Sequence, residues 1–200
     1  MRKEIGLPVD HKILITSCNL YGKKGIDNVI KSLPRIISKF KKLKYIIIGK
    51  GYMYNELVKI TKDLKLNKSV VFLNPINQAR LSLYYQSCDL YIQVSRDFKE
   101  KNGIDVETMG RTYFEAGACG VPVIGSNVGG IPSVIKNRFN GLLINDPENT
   151  NEISETVISL LKNDKLKDLL VCNSLTLAKD QFNWQVVCRK FEKLMFTKDT

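Results

Sequence analysis

A single histidine, His11, stands beside the first apolar run of this 200-residue chain, so neither a metal centre nor a Ser-His-Asp triad is built on histidine within it. Cysteine is sparse in pattern as well. Cys18, Cys88, Cys119, Cys172 and Cys188 are odd in number, scattered and never arranged as CxxC, which predicts reduced, mostly packed thiols and argues against a zinc ribbon or a disulfide framework. Long hydrophobic runs are missing: KYIIIGK and SVVFL are too short to cross a bilayer. MRKEIGLPVDHK lacks the apolar stretch of a signal peptide, and the expectation is a cytoplasmic protein. Acidic residues are the scarcer charge, 20 against 31 Lys and Arg, leaving a formal net charge of +11. Most of that excess is lysine spread over helix faces. It reads either as a solvated basic surface or as attraction to an anionic leaflet at the inner membrane face, and no nucleic-acid recognition motif accompanies it.

What is present is an ordinary core and a regular alternation. A hydrophobic fraction of 44% over 200 residues suits one globular domain. Short apolar, largely β-branched runs at 12–17, 45–49, 69–73, 89–94, 122–125 and 141–144 predict strands buried on both faces. Helical patterns occupy 25–40, 53–65, 78–87, 111–118, 151–162, 165–179 and 184–195. In the first, Ile26, Val29, Ile30, Leu33, Ile36, Ile37 and Phe40 share one face. Asp27, Lys31, Arg35 and Lys39 share the other, and Pro34 is expected to bend it. The alternation implies an α/β fold with a doubly wound, parallel, Rossmann-like β-sheet, whose ligands bind at the carboxyl ends of its strands.

Three loops at those ends carry chemistry. NLYGKKG (19–25) presents Lys23 and Lys24 beside a helix N-terminus, where free N–H groups favour an anion such as phosphate; a plain lysine-bearing surface turn is the alternative. IGKGYMYNEL (48–57) offers strand, G-x-G and helix, but Tyr54 occupies the position of the last glycine of a dinucleotide fingerprint. Gly49 and Gly51 are therefore expected only to shape a tight turn, and a nicotinamide oxidoreductase is disfavoured. In VETMGRTYFEAGACGVPV (106–123), Gly110 opens a helix whose first N–H groups, from Met109 to Arg111, point toward the same crevice, while Glu115 lies about a turn deeper. A carboxylate with two acceptor oxygens suits the paired hydroxyls of a ribose, with Tyr113 as a local donor. The competing reading is a glutamate at the sheet edge paired with a lysine.

At these residues the chain resembles a known family. Glu107 and Glu115 in VETMGRTYFEAGACGVPVIGSNVGGIP resemble the E-x7-E motif and the following ACG-x-PV and GG-x-P segments of retaining nucleotide-sugar glycosyltransferases of family 4, which have the GT-B fold. The Lys-Gly of NLYGKKG is similar to that family's phosphate loop, and FLNPI, SCDLYIQVS, NGLLI and QFNWQVV extend the likeness over nearly the whole chain. The resemblance implies the C-terminal, donor-binding half of such an enzyme. Lys24 would hold the donor diphosphate, Glu115 the ribose hydroxyls and Glu107 a hydroxyl of the transferred hexose, with Lys24 and Glu107 serving catalysis. The backbone of Met109, Gly110 and Arg111 would border phosphate and sugar, and Ile76 and Gln78 the base. The donor is the substrate, and no metal or other cofactor is implied.

The chain departs from the family pattern at three places. Asn19 replaces a common arginine, Thr108-Met109-Gly110 replaces Gly-Phe-Gly, and Arg111 stands where an apolar residue or threonine is usual. Turned inward, Arg111 would supply the missing cation; turned outward, it is a helix-surface residue. The insert DFKEKNGID (97–105) precedes Glu107 and is expected to shape the sugar pocket. The family's N-terminal acceptor-binding domain has no counterpart here, which leaves two expectations: the donor half of an enzyme acting on a polysaccharide, glycolipid or lipid-linked acceptor, or a non-catalytic nucleotide-sugar-binding module needing a partner.

Overall fold

The computed structural model describes residues 2–100, 103–105, 107–181 and 183–196. Six parallel strands form one sheet in the order β3-β2-β1-β4-β7-β8. They are β1 (Lys12–Ser17), β2 (Leu43–Ile48), β3 (Val70–Leu73), β4 (Leu90–Ile92), β7 (Val123–Ser126) and β8 (Leu142–Ile144). The helices are α1 (Ile26–Lys39), α2 (Tyr54–Asp63), α3 (Gln78–Gln86), α4 (Arg111–Ala118), α5 (Ile131–Val134), α6 (Thr150–Lys162), α7 (Asp164–Asp180) and α8 (Trp184–Phe196). The doubly wound sheet is as expected, and most predicted bounds fall within a residue or two.

Strand periodicity divides the core. Leu14, Tyr45 and Ile47 pack on one face with α1, α2 and α6, whereas Ile13, Ile15, Ile46 and Tyr91 pack on the other with α3, α4 and α5. Because successive strand side chains point to opposite faces, a strand covered on both sides must be apolar throughout, which is why ILI of β1 is fully buried. Polar atoms on the inner strands are satisfied in pairs: Thr16 Oγ1 bonds Tyr45 Oη at 2.6 Å, and Ser17 Oγ bonds Tyr85 Oη at 2.6 Å. At the amino ends of the strands, Asp89 accepts from the Ile13 N–H at 2.8 Å and from Arg2 at 2.8 Å, tying β1 to the start of β4.

Four features depart from the sequence expectation. β4 ends at Ile92 rather than 94, although the Gln93 N–H still bonds Ile124 O at 3.1 Å, and the chain beyond carries Ser95 toward the cleft described below. Within the 97–105 insert, β5 (Phe98–Glu100) and β6 (Gly103–Asp105) form an antiparallel hairpin; Lys101, Asn102 and the following Val106 lie outside the described residues. α5 is too short to show periodicity. Asp27 is buried rather than solvated, since Arg96 pairs with it at 3.1 Å and Lys31 at 2.9 Å.

α8 differs from the other long helices. It has no buried residue, and Trp184, Phe191 and Leu194 are exposed by 81%, 64% and 81%. Among the described residues no helix is long and apolar enough to cross a membrane.

The acidic groups inside this core favour their neutral forms. Burial raises the phenols of Tyr45, Tyr85, Tyr91 and Tyr113 and the thiol of Cys88, and it pushes Cys18 up to about 12. An unfolded chain would ionise these groups at their ordinary values while the folded one holds them neutral. Their contribution is therefore complete at neutral pH and is lost as pH rises. The urea midpoint should fall progressively above about pH 9, where thiols and then phenols ionise in unfolded chains; a midpoint unchanged to pH 11 would refute this.

Candidate functional site

The sheet order reverses between β1 and β4, so the loops leaving their carboxyl ends part and open a crevice there. After β1, Leu20 turns inward and its N–H bonds Lys50 O at 2.9 Å, while Met53 N–H bonds Leu20 O at 3.1 Å. This lacing explains IGKGYM. A Cβ at Gly49 would lie 1.9 Å from Cys18 O, and one at Gly51 2.4 Å from Leu20 O. The two glycines serve close packing of adjacent loops.

The chain then makes a single 3-10 turn, Gly22–Lys24, capped by Gly25. Arg96 clamps this turn. Its N–H donates to Lys23 O at 2.8 Å, its Nε donates to Gly22 O at 3.1 Å, and its guanidinium spans to Asp27 and to Glu148 at 3.0 Å. The turn is thereby fixed to the segment after β4, and Lys24 meets Glu107.

Glu107 is 6% exposed. Its Oε2 receives the Lys24 ammonium directly, the Ser95 hydroxyl at 3.1 Å and the Gln93 amide at 3.5 Å. A carboxylate this deep is tenable because cation and neutral donors converge on it. Its backbone is held as firmly: Gly130 N–H donates to Glu107 O at 2.9 Å, and a Cβ on Gly130 would sit 1.6 Å from Thr108 O. The GG of SNVGGIP is thus the wall against which residues 107 and 108 are pressed.

The resulting cleft measures about 510 Å³. Asn19, Lys24, Ile76, Glu107, Met109, Gly110, Arg111 and Glu115 all line it. Gln78 does not; it is exposed on the first turn of α3, and Pro75 and Leu81 occupy the wall instead. Glu115 is half-buried, and among the described residues no hydrogen-bond or ion-pair partner reaches its carboxylate. Tyr113 is not that partner. It is buried, and its hydroxyl donates to Gln93 O at 2.7 Å because the Gly110 turn directs its ring into the core. Lys23 also turns away from the cleft and pairs with Asp105 of the hairpin at 2.6 Å. Arg111 is exposed yet lines the rim, and among the described residues no carboxylate pairs with it.

Cys18 lies on the cleft floor, where desolvation pushes its thiol up; nearby Glu107 adds to the rise and Lys24 opposes it. It is not a nucleophile at neutral pH. Among the described residues no three His, Cys, Asp or Glu side chains group to hold a metal ion. Gln93 and Ser95 were not singled out from the sequence, although a glutamine inside the apolar run LYIQV signals a buried polar group in need of partners. The cleft therefore joins cations, the first turn of α4 and two carboxylates, a combination fitted to a phosphate ester that also carries hydroxyls.

Comparison with known proteins agrees in fold. Residues 1–174 match the family described as glycosyl transferases group 1. A GDP-mannose-dependent monoacylated alpha-(1-6)-phosphatidylinositol monomannoside mannosyltransferase of Corynebacterium glutamicum is 25% identical over 97% of the chain and 49% of its own length. The chain thus spans about half the length of the curated relatives it matches. Among solved structures, Anabaena Alr3699/HepE in complex with UDP and glucose superposes with a TM-score of 0.83 at 20% identity, covering 98% of the chain and 51% of that protein. The C-terminal domain of a glycosyl transferase group 1 family protein (LpcC) from Francisella tularensis gives 0.76 at 21% identity, covering 92% of the chain and 91% of that domain.

Replacing Gly130 by alanine must displace the Glu107–Thr108 backbone. Gly130→Ala should destabilise the fold by about 1–3 kcal/mol in urea denaturation, the range for overpacking. An unaltered midpoint would show that residues 107 and 108 yield without cost.

Proposed function

The chain belongs to the glycosyl transferases group 1 family, which covers residues 1–174, and on that premise we propose that it is the C-terminal, donor-binding half of a retaining, nucleotide-sugar-dependent hexosyltransferase. The observation that carries this reading is the Glu115 carboxylate, without a protein partner among the described residues, in the same cleft as Lys24 and Glu107. A nucleoside diphosphate sugar supplies what each lacks: ribose hydroxyls for Glu115, a diphosphate for Lys24 and the first turn of α4, and a sugar hydroxyl for Glu107. The UDP bound in the Anabaena relative supports the ligand class.

Breaking the sugar–phosphate bond places negative charge on the leaving diphosphate while the sugar becomes oxocarbenium-like. Lys24 and the N–H groups at the start of α4 act where that charge develops. Attack by the acceptor on the same face of the sugar retains its configuration, and the departing phosphate takes the acceptor proton. Asn19, Met109, Gly110 and Arg111 border phosphate and sugar, and Ile76 borders the base. The acceptor site belongs to a half of the enzyme beyond this chain. The acceptor class we propose is a polysaccharide, glycolipid or lipid-linked oligosaccharide assembled at the cytoplasmic face of a membrane, where a net charge of +11 favours peripheral contact with anionic lipid. A second reading, a binding module without turnover, draws on the neutral Asn19 and on Lys24 being engaged by Glu107.

Calorimetric titration without divalent metal, against UDP, GDP, ADP and their sugar conjugates, tests the donor site. One nucleotide should bind, and Glu115→Ala should weaken it about tenfold or more, as expected on losing hydrogen bonds to a charged group. An unaffected affinity would remove Glu115 from the site. In the enzyme completed by its other half, Lys24→Ala should slow transfer about a hundredfold or more; an undiminished rate would exclude Lys24 from the mechanism, and absence of transfer by the unaltered enzyme would favour the module.

A further inference from the structure

Glu107 is held by more than its lysine. Ser95 Oγ lies 3.1 Å from Glu107 Oε2, Gln93 Nε2 lies 2.9 Å from Ser95 Oγ, and Tyr91 Oη lies 3.1 Å from Gln93 Oε1 and 2.7 Å from Thr112 Oγ1. The carboxylate orients this chain. Were the Gln93 amide reversed, its oxygen would face Glu107 Oε2 at 3.5 Å, so the NH2 end must lie there. The amide oxygen can then only accept, which directs the Tyr91 proton to it. Gln93 and Ser95 are fully buried, and their carbonyls are themselves fixed, by Tyr113 Oη at 2.7 Å and by the Ser126 hydroxyl.

All the donors to Glu107, the lysine included, converge on Oε2. Oε1 has no partner among the described residues. Ser87 Oγ is the one fully enclosed side-chain polar atom there without a partner, so Oε1 remains open to the cleft.

We propose that Gln93 and Ser95 are positioning residues for Glu107: they hold Oε2 so that Lys24 can turn to an arriving phosphate without leaving a buried carboxylate bare, and they leave Oε1 for the ligand. Without them, Lys24 would be the only donor to Glu107, and drawing it away would leave a buried carboxylate with no hydrogen bond from the protein. The exchange of Lys24 between Glu107 and phosphate rests on the donor-binding reading above. The holding of Glu107 does not.

Two thermodynamic cycles separate the claims. Without nucleotide, urea midpoints are measured for Lys24→Met, for Gln93→Leu, for the milder Ser95→Ala, and for each of the latter two combined with Lys24→Met. Each combination should lower the midpoint by more than the sum of its single changes, because the supports of one carboxylate substitute for one another; strictly additive shifts would overturn the proposal. With UDP, GDP or ADP, Gln93→Leu should weaken binding about tenfold in the otherwise unaltered chain and leave it unchanged in a Glu107→Gln background. Equal weakening in both backgrounds would mean that Gln93 acts through general packing, which would also overturn it. If none of UDP, GDP and ADP binds the unaltered chain, the donor reading falls, and the ligand-free cycle decides whether Gln93 and Ser95 hold Glu107.

Discussion

Two opposite charges from positions 83 residues apart, Lys24 and Glu107, meet beneath the cleft, and the surrounding architecture serves to bring them there. Neither side of the pair would hold its place alone. The lysine stands on a three-residue turn without internal stability, and the glutamate follows an inserted hairpin. Arg96 fixes the first by bridging the turn, α1 and Glu148. The Gly129–Gly130 wall fixes the second through its backbone. Buried charge is tolerated here because it is paired and hydrogen-bonded, and pairing is what requires the two loops to be placed so closely.

The elements were largely legible in the sequence, and the contacts between them much less so. Periodicity identified all six strands of the main sheet, because a strand covered on both faces must be uniformly apolar. It identified every helix of more than four residues for the complementary reason. The hairpin of residues 98–105 escaped because three-residue strands carry no period. Asp27 was misplaced because helical spacing assigns a residue to a face and says nothing of an arginine 69 positions away. The candidate site followed the same division. Loop glycines, together with the resemblance of the Glu107–Glu115 segment to a known family, marked the cleft, and eight of nine named residues line it. Gln78 falls outside: it is exposed on the first turn of α3, and Pro75 and Leu81 line the wall there. That Lys24 rests on Glu107, and that Gln93 stands behind it, are facts of three-dimensional neighbourhood.

The cleft divides its labour between two carboxylates of unlike standing. Glu107 is enclosed and saturated on one oxygen, so its geometry is set before any ligand arrives. Glu115 is half-buried and has no protein partner among the described residues, so its hydrogen bonds come from water or ligand. Rigidity is thus placed beside the reacting bond of the proposed donor and adaptability farther away, a distribution suited to a site that orients a sugar closely while gripping a flexible nucleotide.

The position of the cleft at the reversal of strand order also bears on how the molecule comes into being. β1, β2 and β3 follow one another closely in the chain and pair as neighbours, whereas β4 must add to the opposite edge of β1 after some seventy intervening residues. Pairing across so long a stretch is slow, since the entropy of closing the loop is lost before contacts repay it. The cleft takes one wall from each side of that late seam. A chain emerging from the ribosome therefore has no partial version of this site to offer, and its first competent form is the joined sheet itself.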